Sequence, residues 1–168
     1  MPEHQTNNMH WSESAKTRIR YQLETAGELR SGLSESQLRQ RSIPDKWSAF
    51  EQLAHLGSYQ VHFLFRIQSI LQNQEPRFGR YVAEEDPEFE HYLQKSLALL
   101  SDDSLQVRGR IRDLLLGLPA ASLKRKGLHP VFGALDLTQW TEFFLLHEAH
   151  HLYALFRLCQ SIRLQEQP

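Results

Sequence analysis

The 168-residue chain is poor in the features that mark several protein classes. It has a single cysteine, Cys159, which cannot form an internal disulfide, so nothing asks for an oxidising compartment. Its apolar runs, such as FFLL at 143–146 and LLL at 114–116, fall far short of the ~20 residues a membrane span needs. The first residues, MPEHQTNNMHWSE, lack the apolar region of a secretory signal. Charge of either sign is also missing in excess: 19 basic and 20 acidic residues leave a net charge of -1, which argues against a nucleic-acid binder. No glycine-rich phosphate loop, Ser-His-Asp order or paired-carboxylate motif stands out. These exclusions predict a soluble, cytoplasmic domain that engages neither membrane nor nucleic acid.

Against that background the nine histidines need explaining. Residues 1–11 read as a disordered lead-in, 12–163 as one domain and 164–168 as a tail. Ser12 opens a helical pattern through Ala15, Ile19, Leu23, Ala26 and Leu33. Pro44 marks a connection, and Ser48 with Glu51 forms a capping box for a second helix running to Gln74. Asp86-Pro87 predicts a short helix to about Leu100. Asp103 with Gln106 predicts the start of a third long helix, closed by Gly117 and Pro119. Residues 119–135 read as a loop, and Asp136 with Gln139 caps a last helix over about 137–162. With no strand-like alternation, the expected architecture is an all-α four-helix bundle.

The last helix carries the sharpest chemical signal. At 100° per residue, Trp140, Phe144, Ala154, Leu158 and Ile162 fall within about 40° of one line. His147 and His151 fall on that line, one turn apart, where both imidazoles can reach a single point. A hydrogen-bonded pair of core histidines is one explanation. A shared metal ion is the stronger one, because neutral imidazole suits zinc, nickel, iron or copper. His147-Glu148-Ala149-His150-His151 also matches the H-E-x-x-H of zinc metalloproteases, in which the glutamate is the general base. Only 17 residues follow His151, with no histidine among them and one acid, Glu166, so that class lacks its downstream ligand. Glu148 stays a candidate base, and His150 a neighbour of the site, both at the edge of the face.

A third ligand must then come from upstream, and His55 and His62 on the second helix are the candidates. His55 shares a stripe with Tyr59, His62 and Arg66, about 140° from Phe50. That stripe is either solvated surface or the lining of an opening between helices, and spacing leaves the two open. Lys124-Arg125-Lys126 reads as a solvated loop cluster, or as a hold for an anionic substrate if it lies over the site. Cys159 reads as a small buried hydrophobe. Phe63, Phe65, Phe143, Phe156 and Trp140 read as core or dimer contacts.

The order Trp47-Ser48, Glu51, His55-Leu56, then Pro130, Gly133, Asp136-Leu137 and His147-Glu148-Ala149-His150-His151-Leu152 resembles the DinB-like superfamily, over about residues 12–162. The resemblance implies a four-helix bundle binding a divalent metal through three histidines, one on the second helix and two in an H-x-x-x-H on the last. The matching positions are His55, His147 and His151. It also implies a homodimer. Members include bacillithiol S-transferases and mycothiol-dependent maleylpyruvate isomerases, while others are labelled only as metal-dependent hydrolases. The expectation is therefore an enzyme that uses one divalent ion to activate a small thiol or water. Zinc or nickel ranks first as the ion, with iron or manganese as alternatives, and a low-molecular-weight thiol would be the co-substrate. A hydrolase, or a non-catalytic metal-binding or dimerisation bundle, is the alternative. Tyr59, His62, Arg66 and His150 would line the pocket of such a site.

Overall fold

The computed structural model describes residues 11–165; residues 1–10 of the predicted lead-in 1–11 and 166–168 of the predicted tail 164–168 lie outside the described residues. Four helical arms build the bundle. The first is α1 (Glu13–Tyr21), continued by a 3-10 turn (Gln22–Glu24) into α2 (Thr25–Leu29). The others are α4 (Ala49–Gln72), α6 (Leu97–Gly117) and α8 (Leu137–Gln165). Short helices α3 (Glu35–Arg39), α5 (Pro87–Leu93) and α7 (Ala120–Leu123) lie in the connections. No helix among the described residues is long and apolar enough to cross a membrane.

Local chemistry fixes the ends of the long helices. Ser48 accepts from the Glu51 amide and Glu51 reaches back to the Ser48 amide, the reciprocal capping expected for α4. Asp136 and Gln139 make the same exchange at the start of α8. The first arm departs from a single helix, because Tyr21 leaves helical backbone at φ -125. The third departs in its start. Ser96 caps α6 by accepting from the Leu99 amide, while Asp103 sits inside the helix and pairs with Lys95 at 2.8 Å.

The predicted loop 119–135 is also corrected. It contains α7 and an antiparallel hairpin of β1 (Lys126–His129) and β2 (Gly133–Asp136). Gly133 takes φ +71 where the hairpin re-enters β2, a conformation glycine adopts without strain. Trp11, placed in the lead-in by sequence, donates its indole N–H to the Leu115 carbonyl at 3.0 Å.

Helix α4 is the hub, packing on α5, α6 and α8. At Gly57 a Cβ would lie 2.3 Å from Tyr92 and 2.5 Å from Ser104 Oγ, so α5 and α6 approach α4 more closely than any side chain permits. Two apolar clusters fill the bundle, one around Phe50, Leu53, Leu56 and Leu155, the other around Phe63, Ile67, Trp140 and Phe144. Each arm also contributes a polar side chain to one hydrogen-bonded network: Gln22, Gln60, Arg108 and Glu148. Arg108 bonds to Glu148 and to Gln60 Oε1 at 2.8 Å, and Gln22 donates to Glu148 at 3.0 Å. The layer is closed on itself, which is what allows charge at such depth.

Candidate metal centre

The capping box of α4 and the Asp136 cap of α8 fix where these two long helices begin, and their packing brings His55 opposite His147 and His151. One ring nitrogen from each of the three lies within 4.8 Å of the others. His55 Nε2 and His147 Nε2 are 3.3 Å apart. Two ligand nitrogens at 2.0–2.1 Å from a tetrahedral zinc would be separated by roughly 3.3–3.4 Å, so this edge already has the span of a coordination shell. His151 Nδ1 is held by Gln52 Oε1 at 2.8 Å, which leaves Nε2 as its available nitrogen.

The surroundings are aromatic. The Trp47 ring lies 5.0 Å from that of His55 and 6.0 Å from that of His151. Tyr59 packs at 4.0 Å on His147, and Tyr81 and Phe89 close over His55 at 5.8 and 6.1 Å. Burial in this setting, reinforced by the neighbouring histidines, holds the pKa of His55 down to about 2, His147 to about 3 and His151 to about 4. All three are neutral at pH 7 and carry lone pairs. His55 Nδ1 is buried with no hydrogen-bond partner. Converging neutral imidazoles, with no acid or hydroxyl among their hydrogen-bond partners, form a donor set that suits a divalent cation of the first transition row.

The remaining sequence candidates separate clearly. The His55 stripe is not solvated surface: His55 is 3%, Tyr59 4% and Arg66 3% exposed, because Trp47, Tyr81 and Phe89 pack on His55, Tyr81 on Tyr59, and Phe78 and Trp140 on Arg66. His62 is half-buried beside Tyr81, with rings 4.6 Å apart. Burial first, then the nearby Arg66 charge, holds its pKa down to about 4, against the pull of Asp86. His150 is exposed on the outer side of α8 and touches the site only through the edge of the His151 ring at 5.1 Å.

Glu148 turns away from this centre. Both of its oxygens are committed, one to Arg108 and one to Gln22, so the carboxylate belongs to the buried polar layer and is not free to act as a base. Burial pushes its carboxyl up from the ordinary range and Arg108 opposes that. The Lys124-Arg125-Lys126 run also lies elsewhere: Arg125 donates to the Ile70 and Asn73 carbonyls and so caps the far end of α4, about 22 Å along the axis from His55. Gln52, Trp47, Tyr81 and Phe89 are site residues that motif reasoning did not single out for a role. Gln52 carried one signal, its place three residues before His55 on a helix.

A family model of the DinB superfamily matches residues 19–155, which include His55, His147 and His151. The chain belongs to the DinB superfamily. Among solved structures, it is similar to YfiT from Bacillus subtilis, described as "a probable metal-dependent hydrolase with an unusual four-helix bundle topology". The likeness has a TM-score of 0.73 at 18% identity and covers 96% of this chain and 93% of YfiT. It shows that the two share a fold. A search of curated protein sequences gives no significant match. The DinB chain described here thus combines that bundle with a three-histidine group suited to holding a metal ion.

Proposed function

We propose that His55, His147 and His151 hold one divalent ion, zinc or nickel in first place, and that the centre serves an enzyme which activates a small thiol for attack on an electrophile. The observation that carries this reading is the convergence of three neutral imidazole nitrogens within 4.8 Å inside an aromatic wall. Three protein ligands leave a coordination position open, as catalytic sites do. A cation there supplies the positive charge that brings the pKa of a thiol or water towards neutrality.

The chain's own groups do the rest. Gln52 fixes the ring of His151. Trp47, Tyr81 and Phe89 exclude water on the His55 side. Burial raises the pKa of Tyr59, so its hydroxyl keeps its proton at pH 7 and can donate it to a polar substrate atom. The description of YfiT as "a probable metal-dependent hydrolase" supports a second reading, in which water replaces the thiol.

A cytoplasmic location is part of this proposal, since the free, buried Cys159 needs no oxidising compartment. A homodimer belongs to the same proposal. The outer face of α8 exposes Leu146 at 59%, Tyr153 at 62% and Leu164 at 66%, apolar side chains set among His150, Arg157 and Gln160 that a two-fold copy would cover. Light scattering at micromolar concentration reads the mass directly.

The test of function uses zinc- or nickel-loaded protein with cysteine plus a chloronitroarene, and in parallel with a nitrophenyl ester in water. The proposal expects metal-dependent thioether formation above buffer. Ester cleavage without thioether formation would favour the hydrolase reading, and metal binding with neither activity would leave a non-catalytic bundle.

A further inference from the structure

Arg66 is only 3% exposed, yet among the described residues it forms no ion pair. The other deeply buried arginine, Arg108, has Glu148. Buried arginines are almost always paired, so an unpaired one asks for a partner from outside the chain. Its contacts are weak for a cation. Nη1 donates to Tyr59 Oη and Nη2 to the Gly79 carbonyl, both at 3.4 Å, and Nε has no partner. Charge-assisted bonds are normally shorter, about 2.7–2.9 Å. Trp140 and Phe78 cover the guanidinium, with centroids at 5.1 and 5.5 Å. One turn earlier, His62 Nε2 is likewise buried without a partner.

These groups lie in line with the histidine centre. His55, Tyr59, His62 and Arg66 follow one another along one stripe of α4, and helical side chains lean towards the N-terminus, so Arg66 reaches back to Tyr59. Tyr59 in turn packs on His147 at 4.0 Å. Four residues separate Tyr59 from His55, about 6 Å of helix. We propose that Arg66, with Tyr59 and His62, binds the carboxylate of the substrate, and that this substrate is a small thiol bearing a carboxylate a few bonds from its sulfur. The assignment rests on reading the triad as the reactive centre. It explains why a guanidinium is kept desolvated and unpaired: its counter-ion arrives with the substrate.

The experiment compares 3-mercaptopropionate with its neutral amide, 3-mercaptopropionamide, by calorimetric titration of zinc-loaded and of metal-stripped protein. Both probes carry the same thiol chain, so the change of their ratio on Arg66→Met, in zinc-loaded and in metal-stripped protein, reads the anion subsite. The wild type should prefer the acid by about ten-fold or more, the lower range for one charge-assisted bond. Arg66→Met should bind acid and amide alike while keeping its metal content, and Arg66→Lys should retain part of the preference. The Tm of Arg66→Met should hold or rise, since an unpaired buried cation is removed. A wild-type ratio near one, failure of the acid to bind at millimolar concentration, or an undiminished ratio in Arg66→Met would overturn the proposal. A fall in Tm for Arg66→Met with a wild-type ratio near one would make Arg66 purely structural. Absence of bound metal would sink the reading of the triad but leave the ratio in metal-stripped protein to judge Arg66.

Discussion

Replacing Glu148 with alanine separates a catalytic from a structural role for the glutamate of the H-E-x-x-H segment. The carboxylate is 1% exposed and its partner Arg108 4% exposed. Arginine does not shed its proton, so the variant leaves a charge buried with only Gln60 Oε1 and a backbone carbonyl to solvate it. Removing one member of a buried pair costs about 3–5 kcal/mol. Against a total stability of about 5–15 kcal/mol, that is a large fraction, and it corresponds to roughly 10 °C in Tm for a chain of this size. Urea unfolding at pH 7 measures the loss. Arg108→Met should lose a comparable amount, and the double variant Arg108→Met with Glu148→Leu should lose less than either, because an apolar pair of similar volume needs no compensation. The folded fraction of Glu148→Ala should bind metal as the wild type does. A loss under about 1 kcal/mol, additive losses in the double variant, or abolished turnover in a variant of unchanged stability would refute this account.

Two further outcomes follow from the geometry of the centre. Gln52→Leu removes the acceptor that orients His151, and metal affinity should fall about 10–100-fold with little change in fold, as measured by chelator competition. The histidines also predict acid sensitivity of the metal-free protein. Their folded pKa values, about 2, 3 and 4 for His55, His147 and His151, lie below the ordinary 6.5. The unfolded chain therefore takes up more protons below pH ~6.5, and stability present above that pH is lost as the pH falls towards 4. Each histidine contributes at most about 1.4 kcal/mol per pH unit. Urea midpoints of stripped protein from pH 8 to 4.5 should fall steeply below 6.5, and a flat profile would contradict the burial of the triad.

What could be read from the sequence was what depends on neighbours in the chain. The Ser48–Glu51 and Asp136–Gln139 caps are exchanges over three residues, and both are present. His147 and His151 stood out because they occupy the apolar line of their own helix. The structure departs where distant segments decide. Nothing between Ile19 and Ala26 announces a break at Tyr21, since no proline or glycine precedes it. The strands KGLH and GALD are too short to show alternation and exist only as a pair. A helical wheel places His55 opposite Phe50 but cannot know that Trp47, Tyr81 and Phe89 cover that side, so the polar stripe looked as much like surface as like a site. The bonding of Glu148 was hidden for the same reason: its partner, Arg108, is 40 residues away on α6.

The central claim is that His55 joins His147 and His151 in holding one ion. Elemental analysis of purified wild type, His55→Ala and His62→Ala, each loaded with zinc or nickel and dialysed, tests it most directly. The account predicts about one ion per chain in the wild type and in His62→Ala, and near-complete loss in His55→Ala with its helical content intact. Full metal retention by His55→Ala, or its loss from His62→Ala instead, would contradict it.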